Sequence, residues 1–210
     1  GVYMNEGIQI AQRGSVVTRD PIVSTLPEQA RSILLPPSPG FFTMRFMGFF
    51  VTDLEAGTVV GQFPHGYPIW VAIAYGLDGL SGARRVVGWW ALLGVVATYF
   101  AGVRLVGRAA AASGAALLSL HVVQIWYARY PNAEIVVQPL LFGALLAHAY
   151  AHEEEDRFFG PVAASLLGVA LFTRMPAVIA IAAAGTLGVF AHLTGRRIRA
   201  GFLVPLAAWL

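Results

Sequence analysis

VVGWWALLGVVATYFAGV, residues 86–103, decides how the chain is read. The stretch carries no charge and stands between Arg84-Arg85 on one side and Arg104 on the other. A spanning helix needs about 20 mostly apolar residues, within a range of roughly 17–25. Outward from it the pattern recurs. Residues 109–128 are uncharged and end at Arg129, and 135–151 end at an acidic turn, His152 to Arg157. Residues 158–173 end at Arg174, 175–195 end at Arg196 and Arg197, and 200–210 begin one more. The segment 158–173 is marginal in length and must borrow flanking residues. Gly1 at one end and an apolar run stopping at Leu210 predict a piece of a longer protein, with a span missing on each side.

Composition agrees with this reading. The chain is 57% apolar and 12% charged, with a mean hydropathy of +0.67, whereas a soluble domain carries about 25% charged residues. Such depletion points to a multi-pass protein of the cell membrane. With no Cys, disulfides and thiolate metal sites are excluded. All 14 basic residues are Arg, scattered and mostly flanking apolar runs, so the pI near 9.6 implies no nucleic-acid partner.

Before the spans, residues 1 to about 65 hold no uncharged run long enough to cross a bilayer. Asn5 can cap a short helix running to Gly14, residues 15–24 read as extended, and Pro27 can open helical turns through Leu35. The Pro-rich 36–40 forbids regular structure, and the aromatic 41–50 suits a segment lying at a membrane surface. Residues 69–77, anchored by Tyr67 and Trp70, are too short to span and read as an interfacial helix. The expected fold is all-α: a polytopic transmembrane helix bundle, 81–210, behind a long first extracytoplasmic loop, 1–80, that carries short interfacial helices. Arg-rich short loops stay in the cytoplasm. Six arginines at one set of turns against four at the other place the first segment outside.

Several polar motifs then share that outer side: Asn5-Glu6, Asp53 with Glu55, His65 in Phe63-Pro64-His65-Gly66-Tyr67-Pro68, Arg84-Arg85, Arg129 through Glu134, and Thr173-Arg174-Met175-Pro176. Their order and spacing resemble the polytopic GT-C glycosyltransferases, in the branch that includes protein O-mannosyltransferases and aminoarabinose lipid A transferases. The resemblance covers the first outer loop and about five spans of a larger enzyme. It implies inverting transfer of a sugar from a polyprenyl-phosphate donor, among membrane lipids, to an acceptor that is a protein, a lipid or a glycan. That family usually has an Asp in the acidic pair, where this chain has Asn5. If the first acid is the base, it is lost here; if the second, Glu6 keeps the role.

The residue types suit that chemistry. A carboxylate that deprotonates or orients an acceptor hydroxyl contributes roughly 10²–10⁴-fold in rate, and an anion stabilises the oxocarbenium-like transition state. A departing lipid phosphate needs cations, and arginine binds phosphate bidentately. Arg84 or Arg85 is first choice by resemblance, with Arg129 and Arg174 behind. Asp53, Glu55, His65 and Glu134 are candidates for substrate or a divalent metal.

Plainer readings stand beside these. Glu6 can be a solvated loop acid, Arg84 and Arg85 headgroup anchors, Arg129–Glu134 a structural ion pair, and His65 a turn residue. Other classes compatible with the sequence are a transporter or permease, which would set ionisable groups mid-membrane, and a non-catalytic scaffold of the same fold.

Overall fold

The computed structural model describes residues 1–35, 44–46, 48–153 and 158–193. The chain divides into two compact units, Gly1–Val86 and Val87–Leu210. It is mostly helical, but not all-α: the first unit holds a four-stranded antiparallel sheet.

The first unit opens with α1, Val2–Arg13, closed by Gly14, whose amide donates to the Ile10 carbonyl at 2.8 Å. Gly14 is the stop expected from the sequence, while the helix begins before Asn5, which therefore caps nothing. Strand β1, Val17–Arg19, and α2, Pro21–Thr25, occupy the stretch read as extended. Asp20 caps α2 through a 2.9 Å bond from the Ile22 amide, with Pro21 at the first helical position, where its missing N–H costs nothing. Helix α3, Glu28–Leu34, starts after Pro27 as expected. The Pro-rich 36–40 and the opening of the aromatic segment lie outside the described residues.

Strands β2, Met44–Phe46, β3, Phe49–Asp53, and β4, Thr58–Gly61, complete the sheet in the order β1-β4-β3-β2. The aromatic run expected at a membrane surface is thus partly strand. Its Phe and Val residues fit a pleated, half-buried surface as well as they fit an interface. Phe49, Val51 and Val59 pack with Val23 and Leu26 of the α2 region and with Leu35, forming this unit's small core.

Helix α4, Gly66–Val106, is 41 residues long and breaks at Asp78 and Gly79. Gly79 has φ +54° and ψ −145°, a backbone region open essentially to glycine alone. The expected interfacial helix and the first span are therefore the two arms of one kinked element.

In the second unit the expected span 109–128 is broken. Helix α5, Arg108–Leu120, and α6, Val122–Tyr127, meet at His121, which is extended at ψ 126°. Helix α7, Glu134–Glu153, and α8, Phe159–Thr173, are helices close to the bounds of two further apolar segments, 135–151 and 158–173. A 3-10 turn, Met175–Ala177, leads into α9, Val178–Leu193. The span begun at residue 200 lies outside the described residues.

Ala144 and Ala147 of α7 pack on Ala163, Ala164 and Leu167 of α8, with Ile181 of α9 closing the cluster. Small side chains let helix backbones approach closely, the habit of helix pairs in lipid. Gln124 of α6 donates to Gln138 of α7 at 3.0 Å. The Arg104 guanidinium lies 4.0 Å over the Tyr150 ring, within cation–π range.

Two helices, Gly66–Val106 and Glu134–Ala151, are long and apolar enough to cross a membrane. Arg108–Leu120, Phe159–Thr173 and Met175–Thr186 are shorter and apolar.

Candidate functional site

Glu6 sits mid-way along α1 on the face turned to β4. Its side chain is 1% exposed. The geometry is set by small neighbours. Gly7 leaves room for Val71 and for the Pro68 carbonyl, which a Cβ there would approach to 2.8 Å. Gly61, the last residue of β4, backs directly onto the carboxyl group: a Cβ at this position would stand 2.6 Å from Oε1 and closer still to Oε2. No side chain but hydrogen fits between strand and carboxylate. Glu6 Oε1 is in hydrogen-bond contact with Nδ1 of His65, from the turn just before α4, while Oε2 is buried without a partner among the described residues.

Aromatic rings complete the surroundings. Tyr3, one turn before Glu6 on α1, lies 5.4 Å from the Phe63 ring and 5.5 Å, edge-on, from Tyr67. Tyr67 is fully buried. In this dry setting desolvation pushes the Glu6 carboxyl above its ordinary value, and the hydrogen bond and charge of His65 offset the rise only in part. His65 keeps 34% of its side chain exposed and is the solvent-facing half of the pair.

Asn5, next in sequence, points elsewhere. With Gln9 and Arg13 it forms a stripe at four-residue spacing along α1. That stripe lines a cavity of about 380 Å³ together with Arg19, Asp20 and Pro21, over Phe49 and Val59. Arg13 is already engaged, by the Thr18 hydroxyl and by the Arg19 carbonyl at 3.1 Å.

The remaining candidates separate. Asp53 ends β3 and Glu55 follows in the β3–β4 turn, at the end of β4 opposite Gly61 and hence away from Glu6. Asp53 accepts from the Ala56 amide at 2.9 Å and so closes that turn. Arg84 is exposed, and Arg85 bonds Asp78 at 3.2 Å across the kink of α4. In the second unit Glu134 pairs with Arg174, at 2.8 Å, rather than with Arg129. Both partners are more than a third exposed, where such a pair contributes roughly 0–1 kcal/mol. Arg129 is exposed, and neighbouring Asn132 ties its turn by donating to the Tyr127 and Tyr130 carbonyls and accepting from the Ile135 amide. Among the described residues no three His, Asp or Glu side chains converge as a metal site.

Sequence reasoning found both Glu6 and His65 but did not join them, because 59 residues separate them. It missed Gly61 and Tyr3 altogether, since neither lies in a local pattern that announces a role.

No protein-family model, curated protein or solved structure matches this chain.

Proposed function

We propose that the chain belongs to a polytopic membrane glycosyltransferase of GT-C type, an inverting enzyme that moves a sugar from a polyprenyl-phosphate donor to an acceptor at the extracytoplasmic face. The observation that carries the reading is Glu6. A buried carboxyl with one oxygen unpaired costs roughly 1–3 kcal/mol. A small unit that keeps such a group behind a partly exposed histidine holds the desolvated, pKa-shifted acid that functional sites gather.

The membrane part of the proposal draws on the outer surface of the helices. Only 28% of the most apolar stretch of α4 is buried within the chain, and Trp89, Leu92, Leu93, Val96 and Phe100 are all exposed. Lipid covers such a surface, whereas the central helix of a soluble core is covered by protein.

In the reaction, the acceptor hydroxyl loses its proton to the Glu6–His65 pair as its oxygen attacks the anomeric carbon. The phosphate leaves from the opposite face, which gives inversion. Arg84 is the arginine of the pair proposed to bind the donor phosphate, since Arg85 is already paired with Asp78. The test is turnover of synthetic polyprenyl-phosphate hexoses and pentoses by the full-length protein in nanodiscs, with free or transferred sugar as readout. Glu6→Gln is expected to lower turnover by about 10²-fold or more. Turnover equal to wild type in this variant would remove Glu6 from the reaction.

A further inference from the structure

The exposure of the two partners is unequal, and that inequality assigns their roles. Glu6 is 1% exposed and His65 34%. The free oxygen of the carboxyl does not face a cleft. It faces the backbone of β4, where Gly61 stands so close that even a methyl group would overlap it. The other oxygen is taken by His65 Nδ1. No acceptor hydroxyl can reach either oxygen without displacing the strand or the imidazole.

An imidazole held through Nδ1 presents Nε2 on the far side of the ring. We infer that Nε2 of His65 is the atom that takes the proton from the acceptor, and that Glu6 is a positioning residue behind it. The inference rests on the glycosyl-transfer reading for its substrate but on the geometry of the pair for its assignment. A carboxylate accepting from Nδ1–H fixes the ring as the tautomer whose Nε2 lone pair is free, and it stabilises the imidazolium that forms. Burial of the carboxylate strengthens both effects, because water does not screen the contact.

The step balances. The acceptor O–H bond breaks and its proton passes to Nε2. The acceptor oxygen bonds the anomeric carbon, the bond from that carbon to the phosphate oxygen breaks, and the electron pair leaves with the polyprenyl phosphate. The proton on Nε2 then passes to water. The other titratable groups packed near the pair are Tyr3 from α1 and Tyr67 from the start of α4. Among the described residues no arginine or second carboxylate bonds either partner.

Two readouts test the assignment. The first needs no substrate: nitrogen-15 NMR of the histidines in the full-length protein, with the His65 signal identified by its loss in His65→Gln. Wild type is expected to hold the Nδ1–H tautomer near neutral pH, and Glu6→Gln to release it toward a mixture. An Nε2–H tautomer in wild type overturns the inference. The second is turnover of the same polyprenyl-phosphate sugars. His65→Gln is expected to lose about 100-fold or more, and His65→Ala to recover part of that loss with added imidazole. Full turnover by His65→Gln, with Glu6→Gln inactive, returns the proton transfer to the carboxyl. If wild type turns over no polyprenyl-phosphate sugar, the transferase reading falls, and the tautomer result alone decides the role of His65.

Discussion

At the residue scale the first unit is governed by one acid in a dry place. Because burial raises the Glu6 carboxyl above 4.5, the folded chain holds a proton that the unfolded chain releases sooner. Stability from this group is therefore fullest below pH 4.5 and falls as pH climbs from there through the raised folded value. Amide exchange along α1, followed from about pH 4 to about pH 8, is expected to show opening that grows easier with pH. Glu6→Gln is expected to flatten that slope, and an unchanged slope would assign the dependence to another group. Gly61→Ala probes the same contact from the strand side. Its Cβ meets three carboxyl atoms at once, so the substitution is expected to cost about 1–3 kcal/mol and to break the Glu6–His65 bond. Loss of the Nδ1–H tautomer of His65 in this variant is the direct check.

Among the elements, α4 has the most specific demand. Its two arms join through Gly79, whose positive φ a side chain resists. Gly79→Ala is expected to cost about 1–3 kcal/mol. It should also change the angle between the arms, read as an altered spin-label distance between positions 73 and 84; an unchanged distance would show that the kink does not depend on glycine. Elements with a local cause were legible in the sequence: Gly14 ends α1, Pro27 opens α3, and charges mark the ends of α7 and α8. Of the sheet only β1 was legible, as part of the extended 15–24; the other strands, three to five residues long, were too short for alternation to register. Likewise the merger of interfacial helix and span hung on Gly79, and the break between α5 and α6 on His121, where composition gives no warning. Glu6 and His65 were each legible as polar residues in suspicious settings. Their partnership, like that of Glu134 with Arg174, is a product of tertiary packing and leaves no trace in spacing.

For the whole molecule, the proposed membrane setting turns on whether the exposed apolar face of α4 meets lipid. The chain contains no Cys, so single cysteines can be placed and labelled without background. Leu93→Cys, on an exposed apolar face of α4, is expected to resist a membrane-impermeant maleimide in intact vesicles and to react once detergent is added. Gln29→Cys, on exposed α3, is expected to react from the extracytoplasmic side without detergent. Equal reactivity at the two positions in intact vesicles would contradict membrane burial of α4.

The length of helix α8 has a consequence for the proposed membrane placement. Its 15 residues rise about 22 Å at 1.5 Å each, some 8 Å short of a typical hydrocarbon core of about 30 Å. Tilting shortens the vertical reach of a helix, so no change of tilt corrects that deficit. Under the proposed membrane placement, acyl chains beside α8 compress, at a fraction of a kcal/mol for each ångström, and the full-length protein is then expected to prefer short-chain lipids.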